Sequence, residues 1–140
     1  MAYKVHAGPA ELPNALETEG VASAATLPGA VVVKNGNDLD PGAADTVGPL
    51  LFAKENGPGQ GGHIDDAFAD GDPMFAYKAR QGLFFRARMA TGQALVDGET
   101  LLERAASGQL TVLASGVAVA VARETVASTT ADQLALVEVL

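Results

Sequence analysis

Residues 81–113 read QGLFFRARMATGQALVDGETLLERAASGQLTVL, and the architecture is read outward from them. Short apolar runs alternate there with single glycines at Gly82, Gly92, Gly98 and Gly108. Glycine takes φ > 0 without steric cost, so this rhythm describes strands folded back by tight turns. Phe84, Arg86 and Arg88 alternate with Leu83, Phe85, Ala87 and Met89, the period of a strand with one polar and one apolar face. Residues 99–106 interrupt the pattern. Their Leu, Glu, Arg and Ala favour helix and Asp97 is a capping residue, so this segment stays open between helix and strand.

Downstream, Gly116-Val117-Ala118-Val119-Ala120-Val121-Ala122-Arg123 alternates valine and alanine, which reads as a strand with a large and a small face. Short strands are expected at residues 93–96, 100–104 and 109–114, a loop at 128–132, and a closing strand at 133–140. Upstream, Leu27-Pro28-Gly29 launches Ala30-Val31-Val32-Val33-Lys34 and Asn35-Gly36 ends it. Three β-branched residues in a row suit a strand buried on both faces or at a subunit contact. Further strands are expected at 49–54 and 74–78, polar loops at 37–48 and 55–72, and room for one helical turn at 14–20. These readings give an all-β fold, a small barrel or β-tulip-like domain over residues 25–140. An extended N-terminal arm and loop precedes it over residues 1–24.

The chain has 140 residues, enough for one domain with a real core. Only 5% of residues are aromatic, so the core is built of Val, Leu and Ala. Nine Lys and Arg against seventeen Asp and Glu give a net charge of −8. Nucleic acid is bound chiefly by neutralising phosphates, and an anionic membrane by the same cations, so neither is an expected partner. Cysteine is absent, which excludes disulfides and thiolate sites. The opening Met-Ala-Tyr-Lys-Val-His lacks a signal-peptide core and no run spans a membrane, so synthesis in a cytoplasm is expected.

No catalytic residue, metal site or cofactor is read from the sequence. His63 with Asp65, Asp66, Asp70 and Asp72 is the one cluster with metal-ligand chemistry, yet it lacks the rhythm of a calcium loop and the ligand count of a zinc site. A solvated acidic loop is the better reading. Gly57-Pro58-Gly59-Gln60-Gly61-Gly62 is not followed by the Lys-Ser/Thr of a phosphate loop. Ser107, Ser115 and Ser128 lie in no nucleophile motif. Arg86 and Arg88 are read as an exposed strand face or as ion-pair partners of a neighbouring subunit, ahead of an anion site.

A resemblance runs through Leu27-Pro28-Gly29-Ala30-Val31-Val32 and Gly71-Asp72-Pro73-Met74. It continues in Gln81-Gly82-Leu83, Ala94-Leu95-Val96, Gly98-Glu99-Thr100-Leu101, Ser107-Gly108-Gln109-Leu110 and Gly116-Val117-Ala118-Val119-Ala120. These strings resemble the head decoration, or capsid cement, proteins of tailed bacteriophages over about half to two-thirds of the chain. The resemblance implies a non-enzymatic virion protein, a homotrimer on the outer surface of the expanded head that clamps major capsid protein subunits. It also implies an N-terminal arm that adds a strand to a capsid element, which assigns capsid binding to Ala2, Tyr3, Lys4, Val5 and His6. Two other readings stand beside it: a small β-barrel binding or enzymatic domain using the loop from His63 to Asp72 with a divalent ion, and a tail or adhesin subunit.

Overall fold

Gly82, Gly92, Gly98 and Gly108 all have φ between +73° and +87°, so each of the four is a turn glycine. The computed structural model describes residues 5–8, 16–44, 46, 48–55 and 63–140. Among them are eleven strands: β1 (His6–Gly8), β2 (Glu17–Ala22), β3 (Val31–Asn35), β4 (Asp38–Pro41), β5 (Leu51–Ala53), β6 (Pro73–Lys78), β7 (Phe84–Met89), β8 (Leu101–Arg104), β9 (Leu110–Val112), β10 (Ala120–Ala122) and β11 (Gln133–Val139). The fold is all-β, and it consists of two small barrels.

The first barrel closes in the order β2-β4-β3-β5-β6. Its interior is lined by Ala22, Val32, Leu39, Leu51, Ala53, Phe68, Met74 and Ala76. The second runs β7-β11-β10-β8-β9 and closes through one parallel bridge, Met89 to Leu110, while β1 adds to the outer edge of β7. Barrel diameter grows with strand number, and eight strands already leave room only for side chains. Five strands leave less, so alanine has to supply much of the lumen. Ala87, Ala120, Ala122 and Ala135 do so in the second barrel beside Phe85, Met89, Leu102 and Val137.

One open segment is settled and several expectations are corrected. Residues 99–106, open between helix and strand in the sequence, hold strand β8, followed by a 3-10 turn at Ala106–Gly108. Residues 14–20 hold no helical turn among the described positions; Glu17 begins β2, whose partners β4 and β6 close the first barrel. β2 therefore lies on the arm side of the boundary expected at residue 24. Residues 37–48 contain β4, in which Leu39 is fully buried between two aspartates. Residues 93–96 form only an isolated bridge, Leu95 to Val126. In 116–123 only Ala120–Ala122 is strand, and its small face turns inward. The segment 57–62 lies outside the described residues.

β3 is buried on both faces, which is what its valines suggested: Val32 fills the first barrel while Val31 faces the second. Phe52 on β5 likewise points out of the first barrel and stacks on Phe85 of β7, with centroids 4.7 Å apart. Around this apolar contact the edge of β7 takes its hydrogen bonds from non-adjacent backbone. Arg86 N donates to Val5 O at 2.6 Å, and Arg88 N donates to Gly29 O at 3.1 Å. Gly29, at φ +88°, is pressed so closely on β7 that an added Cβ would stand 2.8 Å from Arg86 O and 2.9 Å from Leu134 Cδ2.

Arg88 completes the joint. Its Nε donates to Pro28 O at 2.8 Å, Nη1 to Asp132 O at 2.9 Å, and Nη2 to Ile64 O at 2.6 Å. Nη1 and Nη2 each also donate to Asp65 Oδ1 at 3.2 Å. The five N–H groups of the guanidinium are thereby all spent. Far from facing solvent or a neighbouring subunit, Arg88 is 5% exposed and ties three loops of its own chain together.

The close approach at Gly29 is separable from its backbone conformation. Gly92 has a similar φ, +75°, but nothing within 4 Å of an added Cβ. Gly92→Ala is expected to carry only the conformational cost of a left-handed residue, about 1 kcal/mol, and Gly29→Ala that cost plus a clash with β7. Urea unfolding of both variants checks this; equal losses of stability would show that β7 does not press on Gly29.

Candidate functional site

Three regions matter for function: the N-terminal strand, the loop from His63 to Asp72, and the outer face of the second barrel. Of the residues assigned to capsid binding, Ala2, Tyr3 and Lys4 lie outside the described residues. Val5 is fully buried, and its N–H donates to Glu55 Oε2 at 2.8 Å. His6 pairs with Phe85 across β1 and β7, and its ring packs 5.4 Å from that of Phe85 and 6.0 Å from that of Tyr77. The chain therefore anchors its own N-terminal strand at Val5 and His6, and β1 is the outermost strand of its sheet.

Glu55 makes that anchor a three-way junction. Its Oε1 accepts from Tyr77 Oη at 2.8 Å, while Oε2 holds the Val5 amide. Burial, and then the Glu55 carboxylate beside it, push the Tyr77 phenol well above its ordinary value of 10.0. Lys54, next in sequence to Glu55, pairs with Glu17 at 2.7 Å and lies 5.8 Å from the Tyr77 ring.

In the second region the acidic side chains serve the backbone. His63 N donates to Asp66 Oδ2 at 3.2 Å, Asp65 N to His63 Nδ1 at 3.2 Å, and Ala69 N to Asp72 Oδ2 at 2.9 Å. Asp65 also binds Arg88. Among the described residues no three His, Asp or Glu side chains converge in a metal-binding geometry.

The third region was missed by the sequence reading, although its signal was present in the valine–alanine alternation. Registered pairs share a face of a sheet, and Leu102, Ala120 and Val139 form one inward row. The adjoining row, Leu101, Val121, Glu138 and Phe84, therefore faces outward. Beside it Leu140 N donates to Val119 O, which brings the C-terminal leucine to the same surface. Val117 is 79% exposed, Leu140 50% and Leu101 40%. Arg123 borders the face, bound to Glu138 at 2.7 Å and 5.9 Å from the Phe84 ring. Val121, in the middle of the outward row, is itself covered, at 7% exposed, so the exposed apolar side chains here are Leu101, Val117 and Leu140.

No family model matches the chain. No curated protein matches it either. Among solved structures it is similar to the N base of head fiber gp8.5 of bacteriophage phi29, with a TM-score of 0.59. The identity is 12%, over 89% of this chain and 93% of the other. The likeness is one of fold, and it spans both barrels.

The Tyr77–Glu55 junction has a pH signature. The unfolded chain ionises its tyrosine near pH 10, while the folded chain holds the proton to higher pH. The unfolded state then binds fewer protons than the folded one, so stability falls as pH rises above about 10. Tyr77→Phe is expected to flatten that fall by close to one proton in urea unfolding between pH 9 and 11. An unchanged slope would mean that the phenol is not held by Glu55 and burial.

Proposed function

We propose that this chain is a structural protein of a tailed-phage head, a decoration or cement protein. It docks on the outer surface of the expanded head and holds neighbouring major capsid subunits. The observation that carries the proposal is the likeness of fold, over nearly the whole chain, to the base of a phage head fiber. Two features of the fold support it. The second barrel leaves Leu101, Val117 and Leu140 exposed, apolar side chains that a docking protein can use. The strand β1 stands at the edge of its sheet, held at Val5 by Glu55, with Ala2, Tyr3 and Lys4 ahead of it in sequence.

In this reading residues 2–4 supply the capsid contact, and Val5 and His6 anchor them to the barrel. Strand addition at an open edge supplies backbone hydrogen bonds without a deep pocket. Trimerisation multiplies each modest contact, since linked sites bind at a high effective concentration. The role requires no cofactor, nucleic acid or membrane.

Purified protein added to expanded heads assembled without it is expected to co-sediment with them and raise their thermal rupture temperature. In ultracentrifugation it is expected to sediment at three times the 14.2 kDa chain mass. Tyr3→Ala with Lys4→Ala is expected to weaken head binding while leaving the unfolding midpoint unchanged. Failure of the unaltered protein to bind expanded heads at any salt concentration would overturn the proposal.

A further inference from the structure

The two buried arginines of the second barrel differ in what they have left to give. Arg88 has a carboxylate partner and no spare donor. Arg104, at the end of β8, is 8% exposed and makes two hydrogen bonds, both to neutral groups. Its Nη1 donates to Thr46 O at 2.7 Å and its Nη2 to Gly48 O at 2.8 Å. The Nε is buried without a partner, so three of the five N–H groups are unspent. No carboxylate pairs with Arg104 among the described residues. Burial alone lowers its pKa from the ordinary 12.5.

A buried guanidinium is costly unless a counter-charge meets it. The carbonyls of Thr46 and Gly48 fix the fork in place but supply no charge. Beside it lies a cavity of about 340 Å³, walled by Arg104, Val117, Val119 and Glu103. Among the described residues Glu103 is the one acid there, and its Oε2 accepts from Gly116 N at 2.6 Å; Asp45 lies outside them. A second cavity, of about 290 Å³ beside Arg88, offers no comparable donor, because that guanidinium is saturated.

We infer that the cavity beside Arg104 is a binding subsite for a carboxylate on an aliphatic stem, supplied by an acidic side chain of a protein partner. The stem lies along Val117 and Val119, and the carboxylate accepts from the second N–H groups of Nη1 and Nη2, the Nε being closed off from solvent. Charge complementarity selects the anion, and a fixed planar fork suits a carboxylate better than a point charge. The mouth opens beside Val117, which is 79% exposed, so it is continuous with the outer surface of the second barrel. That continuity favours a polypeptide surface over a free acid. Naming the partner as the capsid rests on the proposed function; the subsite does not.

The test uses the full chain and hexanoate, with hexanol as its uncharged counterpart, followed by NMR. Hexanoate is expected to shift the Arg104 Nε–H and the Val117 and Val119 methyl groups saturably. Hexanol is expected to bind about tenfold more weakly, as loss of one charge-assisted hydrogen bond implies. Arg104→Met is expected to abolish the difference. Val117→Asp, at an exposed position that leaves the core intact, is expected to weaken hexanoate by charge repulsion. Equal binding of hexanoate and hexanol, or hexanoate binding that appears only in Asp45→Asn, would overturn the subsite. In the second case the chain's own loop acid would be the counter-ion. Val117→Asp is then tested on heads: unchanged affinity overturns the protein partner as the source of the carboxylate. Heads that fail to bind the unaltered chain overturn the head assignment, while the hexanoate result stands.

Discussion

The guanidinium of Arg88 is the interaction on which the tandem barrels depend. It sits on the strand that begins the second barrel, and it binds carbonyls that precede the valine strand of the first, close the acidic loop and lead into β11. The Pro28 and Ile64 carbonyls would otherwise be buried without this donor, and an unmet buried acceptor costs about 1–3 kcal/mol. Asp65 contributes geometry more than energy, because its side chain is largely exposed and a screened ion pair is weak. The arginine thus acts as a hydrogen-bond hub. Gly29, pressed against β7 beside it, admits the close approach that the hub needs.

From that joint the rest follows in order. The outer face of β3 and β5 becomes an inner surface, so Val31 and Phe52 are buried although they point away from their own barrel. Glu55 and Tyr77 then hold the N-terminal strand against β7 at the same seam. On the rest of the second barrel Leu101, Val117 and Leu140 are left uncovered. That surface is what the described architecture offers to a partner.

The all-β class and most strands were legible because turn glycines and strand periodicity are local signals. Residues 81–113 carry both, and the structure resolves their one ambiguous segment as a strand, since Leu102 and Arg104 face inward beneath β9 and β10. What failed was non-local. Arg88 reads as a polar-face residue because the groups it binds lie 24, 44 and 60 positions away. Leu39 was hidden among aspartates, where only the Asp-Leu-Asp alternation after Asn35-Gly36 marked a strand. The direction of the valine–alanine strand depended on what faces it across the lumen, where Phe85, Met89, Leu102 and Val137 leave space for alanine, a property that no single segment displays. The outward face was missed for the same reason.

The most direct measurement of the central claim is where the protein stands on a particle. Electron cryomicroscopy of virions carrying the chain is expected to show paired-barrel density on the outside of the head, repeated in threes over the capsid lattice, with the valine-bearing flank or the N-terminal strand against the shell. Density confined to the tail, or a head surface identical with and without the chain, would contradict the account.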